Sequence, residues 1–327
     1  MTEYEWNSFQ REHGYTILTD SSKAYGGMRI FEVFSYIVEE GWDEPDDPKP
    51  DGTLLFPDAV DGVPFTEVRA DAFRWVSDLR LPEGIRYIGE WAAEGVSRIH
   101  QIPSSLEIID KYAFCGATFL EDTFPEHVEM IGESAFYNCG GLRNIHLYEG
   151  LQLIEDYAFA SCKDLITVSL PASLISIGES VFGRCSNLQT INLDPGNAEL
   201  LLINGALIRK CDKTMIAWIP ADNTGVYRIP DGIKRIGDGT FWERKEITTV
   251  YVPEGVEQIG CDVWKDCKSL EQVFLPDSLE SIDPQAFAGC NNLKRVVTSN
   301  QSLADAILRR GTDPDFEFYW RKCQAEQ

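Results

Sequence analysis

The chain has 327 residues, 53 of them acidic and 29 basic, for a formal net charge of −24. Nucleic acid and anionic membrane surfaces need a basic footprint, so this balance argues against both; it favours solubility and, weakly, a basic partner. No stretch approaches eighteen uninterrupted apolar residues, so no membrane-spanning helix is expected.

Met1 to Asp20 carries acids early and lacks a basic start followed by an apolar run. No signal peptide is read there and, with Met1 as the native start, a cytoplasmic location is expected. Trp6 and Phe9 are spaced for the apolar side of a short helix, and Ile30, Phe34, Ile37 and Val38 for a second. Gly41 to Gly52, GWDEPDDPKPDG, is a proline-broken acidic linker without the oxygen spacing of an EF-hand calcium loop. Residues 1–53 are therefore expected to be an N-terminal cap and linker, the cap shielding the apolar edge of the segment that begins at Leu54.

From Leu54 a pattern begins irregularly, with Val68 and Phe73 five residues apart, and it then repeats. IGESAFYNCGGLRNIHL from Ile131 returns as IEDYAFASCKDLITVSL from Ile154 and IGESVFGRCSNLQTINL from Ile177. After a gap come IGDGTFWERKEITTVYV, IGCDVWKDCKSLEQVFL and IDPQAFAGCNNLKRVVT from Ile236, Ile259 and Ile282. Degenerate copies open at Ile88 and Ile109, and the successive steps are 21, 22, 23, 23, 59, 23 and 23 residues. With the isoleucine as position 0, position +5 is aromatic in seven of the eight copies (Phe114, Phe136, Phe159, Phe182, Phe241, Trp264 and Phe287) and Ala93 in the other. Position +8 is Cys139, Cys162, Cys185, Cys267 and Cys290 in five copies, and +11 is always aliphatic. From +11 the alternation becomes that of a strand, which a proline often ends (Pro171, Pro253, Pro276). One such unit cannot bury its own apolar face; stacked, the units form a solenoid with one parallel strand per coil and a column of +5 aromatics inside.

The repeated IGxxAFxxCxxL core resembles the BspA-like leucine-rich repeat over roughly residues 54 to 298. The resemblance implies a right-handed leucine-rich-repeat solenoid with a parallel β-sheet face and short helical or turn segments. It implies less about function, since relatives of this kind include surface adhesins. The expected function is a non-catalytic protein-binding or scaffold module of the cytoplasm; the alternatives are a cell-surface adhesin, which the resemblance supports, and a hydrolase, which the missing motifs disfavour.

The 59-residue step holds one period plus an insertion, about residues 194–225. Leu200 to Ile203, Asn204-Gly205, then Ala206 to Ile208 reads as a β-hairpin on a type I′ turn, with Met215 to Ile219 as a third strand. It is read as an elaborated coil ahead of a protruding contact surface. Beyond Val297 the pattern stops. Asn300 or Ser302 would cap a short helix through Arg310, and Phe316, Phe318, Tyr319 and Trp320 cluster. Residues 299–327 are expected to cap the last rung.

Motifs for chemistry are missing. His13, His100, His127 and His146 stand in no metal motif, and there is no P-loop, G-x-S-x-G elbow, H-E-x-x-H or C-x-x-C. No catalytic residue, cofactor or metal is expected. The +8 cysteines are read as buried, reduced, structural thiols. The candidate binding surface is the outward +15 column, because strand residues alternate between core and solvent. It reads His146, Ser169 and Asn192, which are polar, then Tyr251, Phe274 and Val297, which are apolar. A contiguous apolar set marks a contact site for a protein partner, or else it is covered by the C-terminal cap.

Overall fold

The isoleucine at position 0 is a rung of a parallel ladder, because the same main-chain edge recurs once per period. A computed structural model describes residues 15–21, 28–35, 53–54, 59–74, 76–121, 123–220, 224–299 and 317–320. Val68, Ile88, Ile109, Ile131, Ile154 and Ile177 lie side by side in register. Met215, Ile236, Ile259 and Ile282 form a second run. Among the described residues these two runs hold ten rungs, with Val68 as the first of the repeat positions and Met215 in the place of an isoleucine inside the insertion.

A second ladder forms the sheet face. Asn144–His146, Thr167–Leu170 and Thr190–Leu193 pair in parallel. Val226–Arg228, Thr249–Tyr251, Gln272–Phe274 and Arg295–Thr298 do the same, and Glu317–Trp320 adds a last parallel strand.

Opposite the face, the AFxxC segments are stacked turns, and the described residues contain no helix. Two positions per coil explain why. Position +3 (Tyr112, Ser134, Tyr157, Ser180) and position +7 (Gly116, Asn138, Ser161, Arg184) both have positive φ, between 51° and 71°. A left-handed residue every fourth position stops any helical turn from propagating. Alternate residues then bond onward to the next coil: in the Ile131 coil Ser134, Phe136 and Asn138 donate to Asp156, Ala158 and Ala160 at 2.8–2.9 Å. Those between them bond within their own coil, as Cys139 N does to Phe136 O.

The +5 side chains fill the interior, and Phe114, Phe136, Phe159, Phe241 and Trp264 are fully buried. Rings stack at 5.3 Å from Phe114 to Phe136, 5.1 Å to Phe159 and 6.1 Å to Phe182. A separate stack runs from Phe241 to Trp264 (5.9 Å) and Phe287 (4.9 Å). The expected single column is thus two columns, with no ring contact between Phe182 and Phe241.

The insertion separates them. Leu200–Ile203, Ala206–Arg209 and Thr214–Trp218 form an antiparallel meander whose last strand joins the isoleucine ladder at Met215. Asn204 and Gly205 both take positive φ (50° and 79°), as a type I′ turn requires. A Cβ at Gly205 would sit 2.1 Å from Ile219 O, so no other residue fits. The meander is wedged between two cores: Leu207, Ile216 and Ala217 face the N-terminal one, and Ala206, Ile208, Met215 and Trp218 the C-terminal one.

Side chains seal this seam where main chain does elsewhere. Arg209 Nη1 donates to Ile177 O at 2.9 Å, and Asp238 N donates to Glu179 Oε2 at 2.8 Å. Arg244, 4 % exposed, occupies position +8 of its coil in place of cysteine. Its Nη1 donates to Leu188 O (3.1 Å) and its Nη2 to Trp218 O (2.9 Å). Burial lowers its pKa, and the two carbonyls compensate part of the desolvation cost.

One local expectation is corrected. Met28–Ser35 is a strand, not a helix; it pairs antiparallel with Tyr15–Ser21 and parallel with Val63–Val68, so the N-terminal segment extends the isoleucine ladder. Adjacent apolar residues Ile30 and Phe31 fit a strand continuing a sheet better than one helical face. Trp6, Phe9, Ile37, Val38, the linker and the 300–310 segment lie outside the described residues. At the C-terminus, Glu317–Trp320 pairs in parallel with Arg295–Thr298, with Tyr319 opposite Val297.

Candidate functional site

The face divides into two halves at the seam, since Thr190–Leu193 and Val226–Arg228 are not paired. On the N-terminal half, His146, Ser169 and Asn192 lie in register across three strands. His146 and Asn192 are exposed and Ser169 is half-buried. Asn192 Nδ2 lies 3.3 Å from Ser169 Oγ, and the His146 and Tyr148 rings meet edge to face at 4.5 Å. These residues line an open groove of about 620 Å³ together with Glu126, His127 and Asp194. The turns at its rim are pinned by carboxylates: Glu149 accepts Ala172 N (2.9 Å) and Ser173 N (3.1 Å), and Asp194 accepts Gly196 N (2.8 Å).

The C-terminal half differs in kind. Tyr251, Phe274 and Val297 are successive rungs in register. All three are half-buried. Tyr251 and Phe274 stack at 4.5 Å with planes 7° apart, so each ring covers one face of the other. The other face of Tyr251 carries the Arg228 guanidinium, 3.9 Å from the ring centroid, a cation–π contact. What remains open along this column is the uncovered part of these three side chains. That is a narrow apolar ridge with a cationic end.

The predicted column is therefore two columns, His146–Ser169–Asn192 and Tyr251–Phe274–Val297, on opposite sides of the seam. Arg228 stands one 23-residue period before Tyr251 and pairs with it in register, but it is +13 from Met215, so a column counted at +15 from position 0 leaves it out. His127 and Tyr148 lie outside the +15 register, and only the curvature of the turns brings them to the groove. His100 serves structure: its Nε2 lies 2.7 Å from Oδ1 of the buried Asp78.

The thiols are part of the scaffold. Each +8 sulfur donates to the carbonyl of the +5 residue one coil back: Cys139 to Phe114, Cys162 to Phe136, Cys185 to Phe159, Cys267 to Phe241 and Cys290 to Trp264, at 2.8–3.1 Å. Burial pushes these thiols up, Cys185 and Cys290 to about 12. None of the described cysteines is in a disulfide, and Cys323 lies outside the described residues. Among the described residues no group of three or more His, Cys, Asp or Glu is placed to hold a metal ion, and no helix is long and apolar enough to cross a membrane.

Six copies of the BspA type leucine rich repeat region match this chain, over residues 64–123, 107–227 and 223–305. The solenoid is shared with solved structures, three of which are as follows. One is the pneumococcal vaccine antigen PcpA, 24 % identical, covering 86 % of this chain and 73 % of its own, with a TM-score of 0.67. Another is a leucine rich cell surface protein from Faecalibacterium prausnitzii, 18 % identical, covering 86 % of each chain, with a TM-score of 0.58. The third is a leucine-rich repeat protein from Eubacterium ventriosum, 17 % identical, covering 88 % of this chain and 80 % of its own, with a TM-score of 0.57. At these identities the likeness is one of fold. No curated protein matches the chain.

Proposed function

Because this chain belongs to the BspA-type leucine-rich repeat family, we propose that it is a non-catalytic interaction module that takes a protein partner on its sheet face. The observation that carries this reading is the Arg228–Tyr251–Phe274–Val297 column. A solvated face has no need of aromatic residues on adjacent rungs, and the polar half of the same face shows what such a surface looks like without them. Tyrosine, phenylalanine and arginine are also the side chains enriched at interface cores.

The test compares partner capture from native lysate by the wild-type chain and by the Tyr251→Ala, Phe274→Ala double variant. Loss of the captured protein is expected, with a melting temperature lowered by only a few degrees, since both rings are half-buried and lose mainly each other. Capture that persists in the folded double variant would place the contact elsewhere.

A surface-adhesin role is the second reading, supported by the Faecalibacterium relative, which is described as a cell surface protein. Fractionating native cells separates the two. A scaffold of the cytoplasm stays in the soluble fraction, and an adhesin goes with the envelope.

A further inference from the structure

The inserted meander has an edge that no other strand of the described residues covers. Leu200–Ile203 pairs with Ala206–Arg209 on one side and with no strand on the other. Lys210 N donates to Glu199 O at 2.9 Å, and this fixes the alternation: Leu201 with Ile208 and Ile203 with Ala206 are the hydrogen-bonded pairs. Leu200 and Leu202 therefore turn their main-chain N–H and C=O away from the hairpin. Asn197 Oδ1 takes the Leu200 N–H at 2.8 Å. The N–H and C=O of Leu202 make no hydrogen bond to the described residues. Side chains follow the same alternation. Leu200 is buried and Leu202 half-buried against the core, while Leu201 and Ile203 are 40 % and 38 % exposed.

Edge strands of soluble proteins are normally protected by a charge, a proline or a bulge. This one is LLLI, with none of them. We propose that it pairs with the same strand of a second copy of this chain, antiparallel about Leu202. In that register the two Leu202 residues exchange two main-chain hydrogen bonds, N–H to C=O in each direction. Leu201 of one copy then lies opposite Ile203 of the other, twice, on one face, so the four exposed side chains cover one another. Such a contact is its own complement and closes at two copies. The pattern favours self-pairing over capture of a foreign strand because it is symmetric about the open residue. Both flanking side chains are exposed aliphatics and neither carries charge, so the strand adds no local repulsion to that between two chains of net charge −24. The dimer is independent of the partner column proposed above.

Sedimentation velocity of the full chain over a wide concentration range tests the pairing. The weight-average mass of the wild type should rise from one chain toward two. The Leu201→Lys, Ile203→Lys double variant changes only exposed side chains and should remain at one chain mass at every concentration, with an unaltered melting temperature. Leu202→Pro removes the outward N–H without touching a hairpin hydrogen bond, and it should behave in the same way; the lysine variant decides if the proline variant does not fold. A wild-type chain that sediments as one mass throughout overturns the proposal. So does a dimer that survives the lysine substitutions.

Discussion

The N-terminal stack, from Val68 to Ile177, and the C-terminal stack, from Met215 to Ile282, are built from one repeat and joined unlike any two of their own coils. Within each stack the main chain does the joining, as in the donations of Tyr157, Phe159 and Ser161 to Glu179, Val181 and Gly183 at 2.8–3.0 Å. The matching residues at the seam, Ser180, Phe182 and Arg184, make no such main-chain donation to the Ile236 coil. Ion pairs and guanidinium caps replace it: Arg184 Nε to Glu243 Oε1 at 2.8 Å, Arg235 to Glu179, and Arg244 to two carbonyls. A repeat propagates for as long as each coil offers the next the same donors. Where an insertion breaks that offer, long cationic side chains reach across the gap, because they alone carry several donors on a flexible stem.

The largest loss is expected inside a stack. Phe159→Ala hollows the N-terminal column between two stacked neighbours and should cost about 3–5 kcal/mol, read by denaturant unfolding. Phe182→Ala should cost less, because Phe182 ends its column and has a ring on one side only.

At the seam, Arg244→Cys restores the residue most common at +8. Substitutions toward a consensus usually stabilise, but this one leaves Leu188 O and Trp218 O without their donor and should cost about 3 kcal/mol. Calorimetry should then resolve two transitions in place of one, since weakening a single interface uncouples a linear array. A neutral Arg244→Cys would mean that the two stacks join by apolar contact alone.

Two milder substitutions separate the two kinds of joint further. Cys162→Ala removes one sulfur donor to Phe136 O and a little volume, for about 1 kcal/mol. Glu179→Gln keeps the size of the bridging side chain and removes its charge. A loss of about 1 kcal/mol is expected, and it should shrink in high salt because Glu179 is partly exposed. Burial, and after it the negative charge of Glu179, already pushes the neighbouring Asp238 carboxyl up.

The least energetic test concerns the thiols. A thiol reagent should reach Cys211, which is exposed, at once, and Cys139, Cys162, Cys185, Cys267 and Cys290 only after denaturation. Early modification of any of those five would contradict the sulfur-to-carbonyl ladder.

The period, the inward aromatics, the buried cysteines and the hairpin at Asn204-Gly205 are legible in the order of residues alone, because each rests on a local rule repeated many times or on one turn with few solutions. The outward column is legible residue by residue, but its continuity is not. Packing in three dimensions establishes that Met215 joins the isoleucine ladder, that Arg244, in the +8 place of a cysteine, caps carbonyls of two other coils, and that the Arg228 guanidinium lies over the Tyr251 ring. Each of these depends on which coil becomes the neighbour of which after the insertion is folded between them, and spacing along a chain carries no record of that distance in space.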